Sequence, residues 1–108
     1  MFYVDIERPA IRMAIEIIAR SRGAIIAPTA DDAAIVVSDD QRKLLGHLKA
    51  GKRVVQLCLG PTVEVASGLA TAPNFADRFR AFRVRFDAEE AEFYEFLAYI
   101  GACATEVR

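Results

Sequence analysis

Short apolar runs alternate along this chain with segments of helical period, and that alternation constrains its fold more than any other feature. Residues 1–5, 24–27, 33–37, 54–59 and 81–86 are runs of four to six residues rich in Val, Ile, Leu, Phe or Ala. Between and after them lie stretches whose apolar residues recur every three or four positions. Strands alternating with helices imply a mainly parallel sheet joined by right-handed crossovers. The expected architecture is therefore α/β: a three-layer, flavodoxin-like, mostly parallel sheet of four to five strands flanked by helices. Only residues 28–33 separate the second run from the third, whereas a parallel crossover normally needs at least about 10 to 12 residues. The second helix is thus expected to be shortened or missing.

The first helix is the best marked. Pro9 suits a first helical turn, and Ile11, Ala14, Ile15 and Ile18 make an inward stripe that Met13 and Ile17 widen. Arg20 and Arg22 complement the helix dipole near the end, where Gly23 offers a left-handed cap. Residues 41–50 read as a second helix, with Leu44, Leu45 and Leu48 inward, Lys43 and Lys49 in solvent, and Gly51 at its end. A short helix over 63–69 is a weaker expectation. The run 81–86 alternates Phe82, Val84 and Phe86 with Arg83 and Arg85, as a half-exposed edge strand does. Asp87 and Glu90 form a capping-box-like pair at the start of a last helix with Phe93, Phe96, Leu97 and Ile100 inward.

Length and composition narrow the function. The 108 residues form one domain, and 54% hydrophobic with 27% charged residues excludes disorder. Fourteen basic and fifteen acidic residues leave a net charge of −1, which provides no global field for nucleic acid or an anionic membrane. Cys58 and Cys103 lack metal-motif spacing, and the single His47 does not complete a zinc site. No apolar run approaches the roughly 18 residues of a membrane span, and no leader pattern opens the chain. The expectation is a soluble, cytoplasmic protein with reduced thiols, no cofactor and no membrane partner.

The candidate chemistry sits at the ends of the apolar runs. In open α/β sheets, ligands bind in the crevice beyond the carboxyl ends of the strands. Asp5 and Glu7 follow the first run and read either as helix-start acids or as part of a site. Asp39 and Asp40 follow the third, where an N-cap is wanted for the next helix. Cys58 in "VVQLCLG" reads as a small buried hydrophobe. "LGPTVEVASG" places a glycine turn before a helical stretch but lacks a phosphate-loop lysine and spacing. Arg78, Arg80, Arg83 and Arg85, interleaved with Phe79 and Phe82, form the most basic stretch. Its main reading is a solvated edge rather than a nucleic-acid surface.

Several of these stretches resemble a response-regulator receiver domain. "VDIERPAIRMAIEIIARSRG" is similar to the family's first strand, acidic pair and first helix. "AAIVVSDD" is similar to the third strand with its phospho-acceptor, and "AFRVRFDAEEAEFYEFLAYI" to the fifth strand and last helix. The resemblance places Asp5 on the first acid of the magnesium pair, Asp39 or else Asp40 on the phospho-acceptor, and Arg85 near the conserved lysine. Cys58 or Leu59 falls near the hydroxyl position. Ile6 replaces the second acid, no Ser or Thr ends the fourth run, and Arg85 is not followed by proline. Acyl-phosphate chemistry needs an oxygen-rich Mg²⁺ site beside the carboxylate. The resemblance therefore implies a degenerate pseudo-receiver, related to two-component signal transduction, that takes Mg²⁺ only if the acidic site is functional.

A weaker resemblance links "RSRGAIIAPTADDAAIVVSDD" to BRCT domains, which share the shorter element order; the chain lacks the tryptophan usual in their last helix. A small-ligand or phosphate-binding α/β protein using the crevice is the other alternative. The leading expectation is a non-catalytic regulatory or protein-interaction module. It would homodimerise or dock a partner protein through residues 79–99, with Phe79, Phe82, Phe93, Tyr94 and Tyr99 as interface candidates, because aromatic and arginine-rich faces anchor interfaces.

Overall fold

Residues 1–59, 75, 77–84 and 91–106 are described by the computed structural model. Four strands, β1 (Phe2–Asp5), β2 (Ile35–Ser38), β3 (Arg53–Leu59) and β4 (Phe79–Val84), form one all-parallel sheet in the order β1-β2-β3-β4. The run expected as a second strand is reduced to a single parallel bridge, Ile26 beside Phe2, on the outer side of β1. Counting that bridge, the apolar runs lie in the order second, first, third, fourth, fifth. This is the flavodoxin-like arrangement, whose direction of growth reverses beside the first strand.

Helix α1 (Pro9–Ser21) has Pro9 in its first turn and ends in a Schellman cap. Gly23 takes φ 91°, its N–H donates to the Arg20 carbonyl at 3.0 Å, and the Ala24 N–H donates to the Ala19 carbonyl at 3.0 Å. The same device closes α2 (Leu44–Lys49). There Gly51 at φ 86° donates to Leu48 at 3.0 Å and Lys52 donates to His47 at 3.2 Å. Arg78 donates to the Leu48 and Lys52 carbonyls, at 3.1 and 3.0 Å, which ties the turn before β3 to the turn before β4. The missing crossover helix is replaced by a single 3-10 turn, Ala30–Asp32. Lys52 fastens that connection by donating to the Ala33 carbonyl at 2.7 Å. Helix α3 (Ala91–Glu106) ends the described chain.

The period-two alternation of side chains sorts the core into two layers. Phe2, Val4, Ile35, Val37, Val55, Leu57 and Phe82 face α1 and α3, meeting Ile11, Ile15, Ala19, Phe96, Ile100 and Cys103. Val54 and Phe79 point to the other face and meet Leu44 and Leu48 of α2. All four residues of β2 are buried, as expected of a strand covered on both faces. No helix among the described residues is long and apolar enough to cross a membrane.

Three readings of the periodicity change. Met13 and Ile17 do not widen the inward stripe of α1: they are 56% and 59% exposed, because α1 buries only the side that meets the sheet and α3. Leu45 is likewise exposed, while residues 41–43 form a 3-10 turn before α2. Phe79 and Phe82, expected at an interface, are core residues at 6% and 9% exposure. The Phe82 ring packs edge-on against Phe96 at 5.4 Å and tilted against Tyr99 at 5.4 Å. Arg80 stacks its guanidinium over Phe82 and Tyr99, at 5.1 and 5.0 Å. Tyr94 is exposed. The helix expected over 63–69, Arg85, Asp87 and the Phe93 side chain lie outside the described residues.

The two sides of α1 should respond differently to truncation. Ile15→Ala removes a fully buried side chain and should lower unfolding free energy by about 2–5 kcal/mol in urea titrations. Ile17→Ala on the outer face should change it by no more than about 0.5 kcal/mol.

Candidate functional site

The carboxyl ends of β1 and β2 lie side by side at the point where the sheet order reverses, with Asp5 in register with Ser38. In-register residues of parallel strands project to the same face, so the Asp5 carboxylate and the Ser38 hydroxyl share a small polar cluster. The Ser38 hydroxyl is buried; it donates to Asp5 Oδ2 at 3.3 Å and accepts the Asp40 N–H at 3.0 Å. The Asp39 N–H donates to the Asp5 carbonyl at 3.3 Å, extending the strand pairing by one residue. The Asp39 side chain then turns toward the β1–α1 loop, where its Oδ2 accepts the Glu7 N–H at 3.2 Å.

Asp40 is the N-cap of the 3-10 turn Gln41–Lys43, accepting the Arg42 N–H at 3.1 Å. The Arg42 guanidinium returns to the same carboxylate, Nε to Oδ1 at 3.2 Å and Nη2 to Oδ2 at 3.3 Å. These hydrogen bonds hold the Asp40 carboxyl below the ordinary carboxylate range. The turn also aims Lys43 back at the sheet. Its ammonium donates to Asp5 Oδ2 at 3.3 Å, and that bond raises the lysine above its ordinary value.

Asp5, Glu7, Asp39, Asp40, Arg12 and Arg42 border a cleft of about 600 Å³ beside this cluster. The strand-end acids singled out from the sequence therefore converge, but in different roles. Asp5 is held by Ser38 and Lys43, Asp39 by a backbone amide, and Asp40 by its own turn. Glu7 contributes its N–H to the cluster. Ile6, at the place of a receiver's second acid, is buried in the core against the α1 layer. Arg85 lies outside the described residues. Lys43 is exposed, as expected, and its ammonium contact with Asp5 is what the sequence reading missed; the only local signal for it was the i+3 spacing from Asp40. No group of three His, Cys, Asp or Glu side chains able to hold a metal ion occurs among the described residues.

Two nearby groups are titratable without belonging to the cluster. Cys58 is buried in β3 and burial pushes its thiol up, away from thiolate chemistry. His47 is half-buried, and its Nε2 is buried with no hydrogen-bond partner among the described residues. Burial lowers its pKa below 6.5; Asp5 opposes that shift, and Lys52 and Lys43 reinforce it.

No protein-family model, no curated protein and no solved structure matches the chain.

Two measurements probe this cluster. Ser38→Ala leaves the Asp40 N–H and the Asp5 carboxylate short of a partner in a part-buried place, and should cost about 1–3 kcal/mol in denaturant unfolding. His47 should make stability depend on mildly acidic pH. Its folded pKa is below 6.5, so the unfolded chain takes up the proton first. Stability is then full above pH 6.5 and falls as pH drops from there through the lowered native value. Urea midpoints measured across that range should show the fall, and His47→Gln should flatten it.

Proposed function

We propose that this chain is a non-catalytic regulatory or interaction module, related in form to a degenerate response-regulator receiver. The observation that carries the reading is the employment of the strand-end acids as structural ties. A working phospho-switch needs a free carboxylate nucleophile beside hard oxygen ligands that hold a divalent ion. Here Asp5 carries an ammonium and a hydroxyl, Asp39 closes the β1–α1 loop, and Asp40 caps a turn. An ammonium at Asp5 supplies one fixed positive charge where the family's chemistry calls for a divalent cation. The module is then held in one state, and its work is recognition through its surface, by pairing with a second copy or by docking a partner protein.

Element order supports a receiver-like over a BRCT-like relationship, because Phe79–Val84 pairs as a further parallel strand beyond β3. Of the candidates for an interface over residues 79–99 whose side chains are described, Tyr94 is exposed, and the exposed Arg80 stacks on Phe82 and Tyr99. The cleft at the β1/β2 ends supports a second reading, a small-ligand protein that uses the crevice.

Incubation with acetyl phosphate and Mg²⁺ followed by intact-mass measurement separates these possibilities. The expected result is no stable gain of about 80 Da, the mass of one phosphoryl group. An adduct that disappears in Asp39→Asn would overturn the non-catalytic reading.

A further inference from the structure

The sheet is unfinished on its outer side. Main-chain groups of successive residues in a strand point to alternate sides, and in β1 those of Met1 and Asp5 point toward β2: the Met1 carbonyl accepts the Ala34 N–H at 3.0 Å and the Asp5 carbonyl accepts the Asp39 N–H at 3.3 Å. Phe2 points the other way. Its N–H donates to the Ile25 carbonyl at 2.9 Å and its carbonyl accepts the Ala27 N–H at 2.7 Å. Val4 shares the parity of Phe2, so its N–H and C=O also face outward. No described residue pairs with them, because the chain turns away after Ala27 at Pro28 and runs into the 3-10 turn Ala30–Asp32. An interior strand of the flavodoxin-like order is thereby left with an open edge after one rung.

That edge opens into a second cleft, of about 420 Å³. Its floor includes Tyr3, Val4 and the segment from Ile26 to Pro28; its wall is the flank of α1 that carries Arg12, Glu16 and Arg20. The three charged side chains make no hydrogen bond or ion pair among the described residues. They are spaced four residues apart, about 6 Å per step along a helix. Alternate side chains of an extended strand recur at about 6.6 Å.

We propose that this cleft takes an extended peptide segment of a partner protein, which bonds to Val4 and sets an acid–base–acid row against Arg12, Glu16 and Arg20. The mode is strand addition: main-chain bonds give affinity and alternate side chains give selectivity. The two arginines and one glutamate leave a net positive wall, which favours a net acidic segment. Because the row is symmetric, it reads the same in either chain direction. The proposal deepens the interaction reading above by naming the partner's chemistry. It is judged by Val4, whereas that reading is judged by the mass of the acetyl phosphate product, so the two fail separately.

The probe is the peptide acetyl-Val-Asp-Val-Lys-Val-Asp-amide, titrated into the full chain and followed by backbone amide NMR and hydrogen exchange. The Val4 amide should shift and exchange more slowly on saturation. The charge-reversed peptide, with Lys-Asp-Lys in the same places, should bind about fivefold more weakly, as three reversed exposed ion pairs imply. The double variant Arg12→Glu/Arg20→Glu changes only exposed side chains and should invert that preference. A Val4 amide that responds to neither peptide overturns the proposal. So does a Val4 amide already protected in the free chain together with a dimer in sedimentation equilibrium, since a second copy would then fill the edge.

Discussion

Parallel pairing of Phe2–Asp5 with Ile35–Ser38 is the constraint on which the other features depend. Two parallel strands cannot be joined by a hairpin, so the chain must leave the sheet, cross a face and return. Helix α1 covers one face and returns the chain to the outer side of β1 at Ile26, and the 3-10 turn Ala30–Asp32 then leads it to β2. The return brings the carboxyl ends of β1 and β2 together, and β3 and β4 then grow the sheet away from β1. The strand ends carry free backbone groups and the start of a loop apiece, and polar side chains gather there because the polar backbone groups need partners.

The acids at these ends follow from that need. Asp39 satisfies a loop amide, Asp40 a turn amide, and the Ser38 hydroxyl joins the Asp5 carboxylate to the Asp40 N–H. Lys43 reaches Asp5 because Asp40 starts a 3-10 turn, whose three-residue repeat swings the lysine over the sheet end. A cluster so fully bonded positions the loops above the sheet, which is a different task from accepting a phosphoryl group. The outer side of β1 contrasts with it. Pro28 halts strand pairing there after one bridge, leaving main-chain groups and three charged side chains of α1 without partners among the described residues.

Much of the fold was legible from residue spacing. The stripe of Ile11, Ile15 and Ile18 with Gly23 beyond it located α1, since a helix needs an apolar face and a left-handed exit. The all-apolar run before Ser38 located β2, which the structure buries on both faces. The short connection between the second and third runs correctly ruled out a full crossover helix, leaving a 3-10 turn. Spacing was less informative where a residue has two apolar sides to choose between. Met13, Ile17 and Leu45 fit a helical stripe as well as their buried neighbours, and only the position of the neighbouring layer left them outside. Phe79 and Phe82 likewise occupy opposite faces of β4, and both faces are covered.

By itself the sequence determined which segments become strands and helices and where the chain turns, because period, Pro9 and the two positive-φ glycines act over a few residues. It also determined that acids would stand at the exits of the first and third runs. Only the tertiary structure decided that those exits are neighbours, that Lys43 closes on Asp5 across 38 positions of chain, and that no described residue pairs with the outer edge of Val4. The physical reason is that strand order and register arise from burying both faces of the sheet at once, a condition set by segments far apart in the chain and invisible within any one of them.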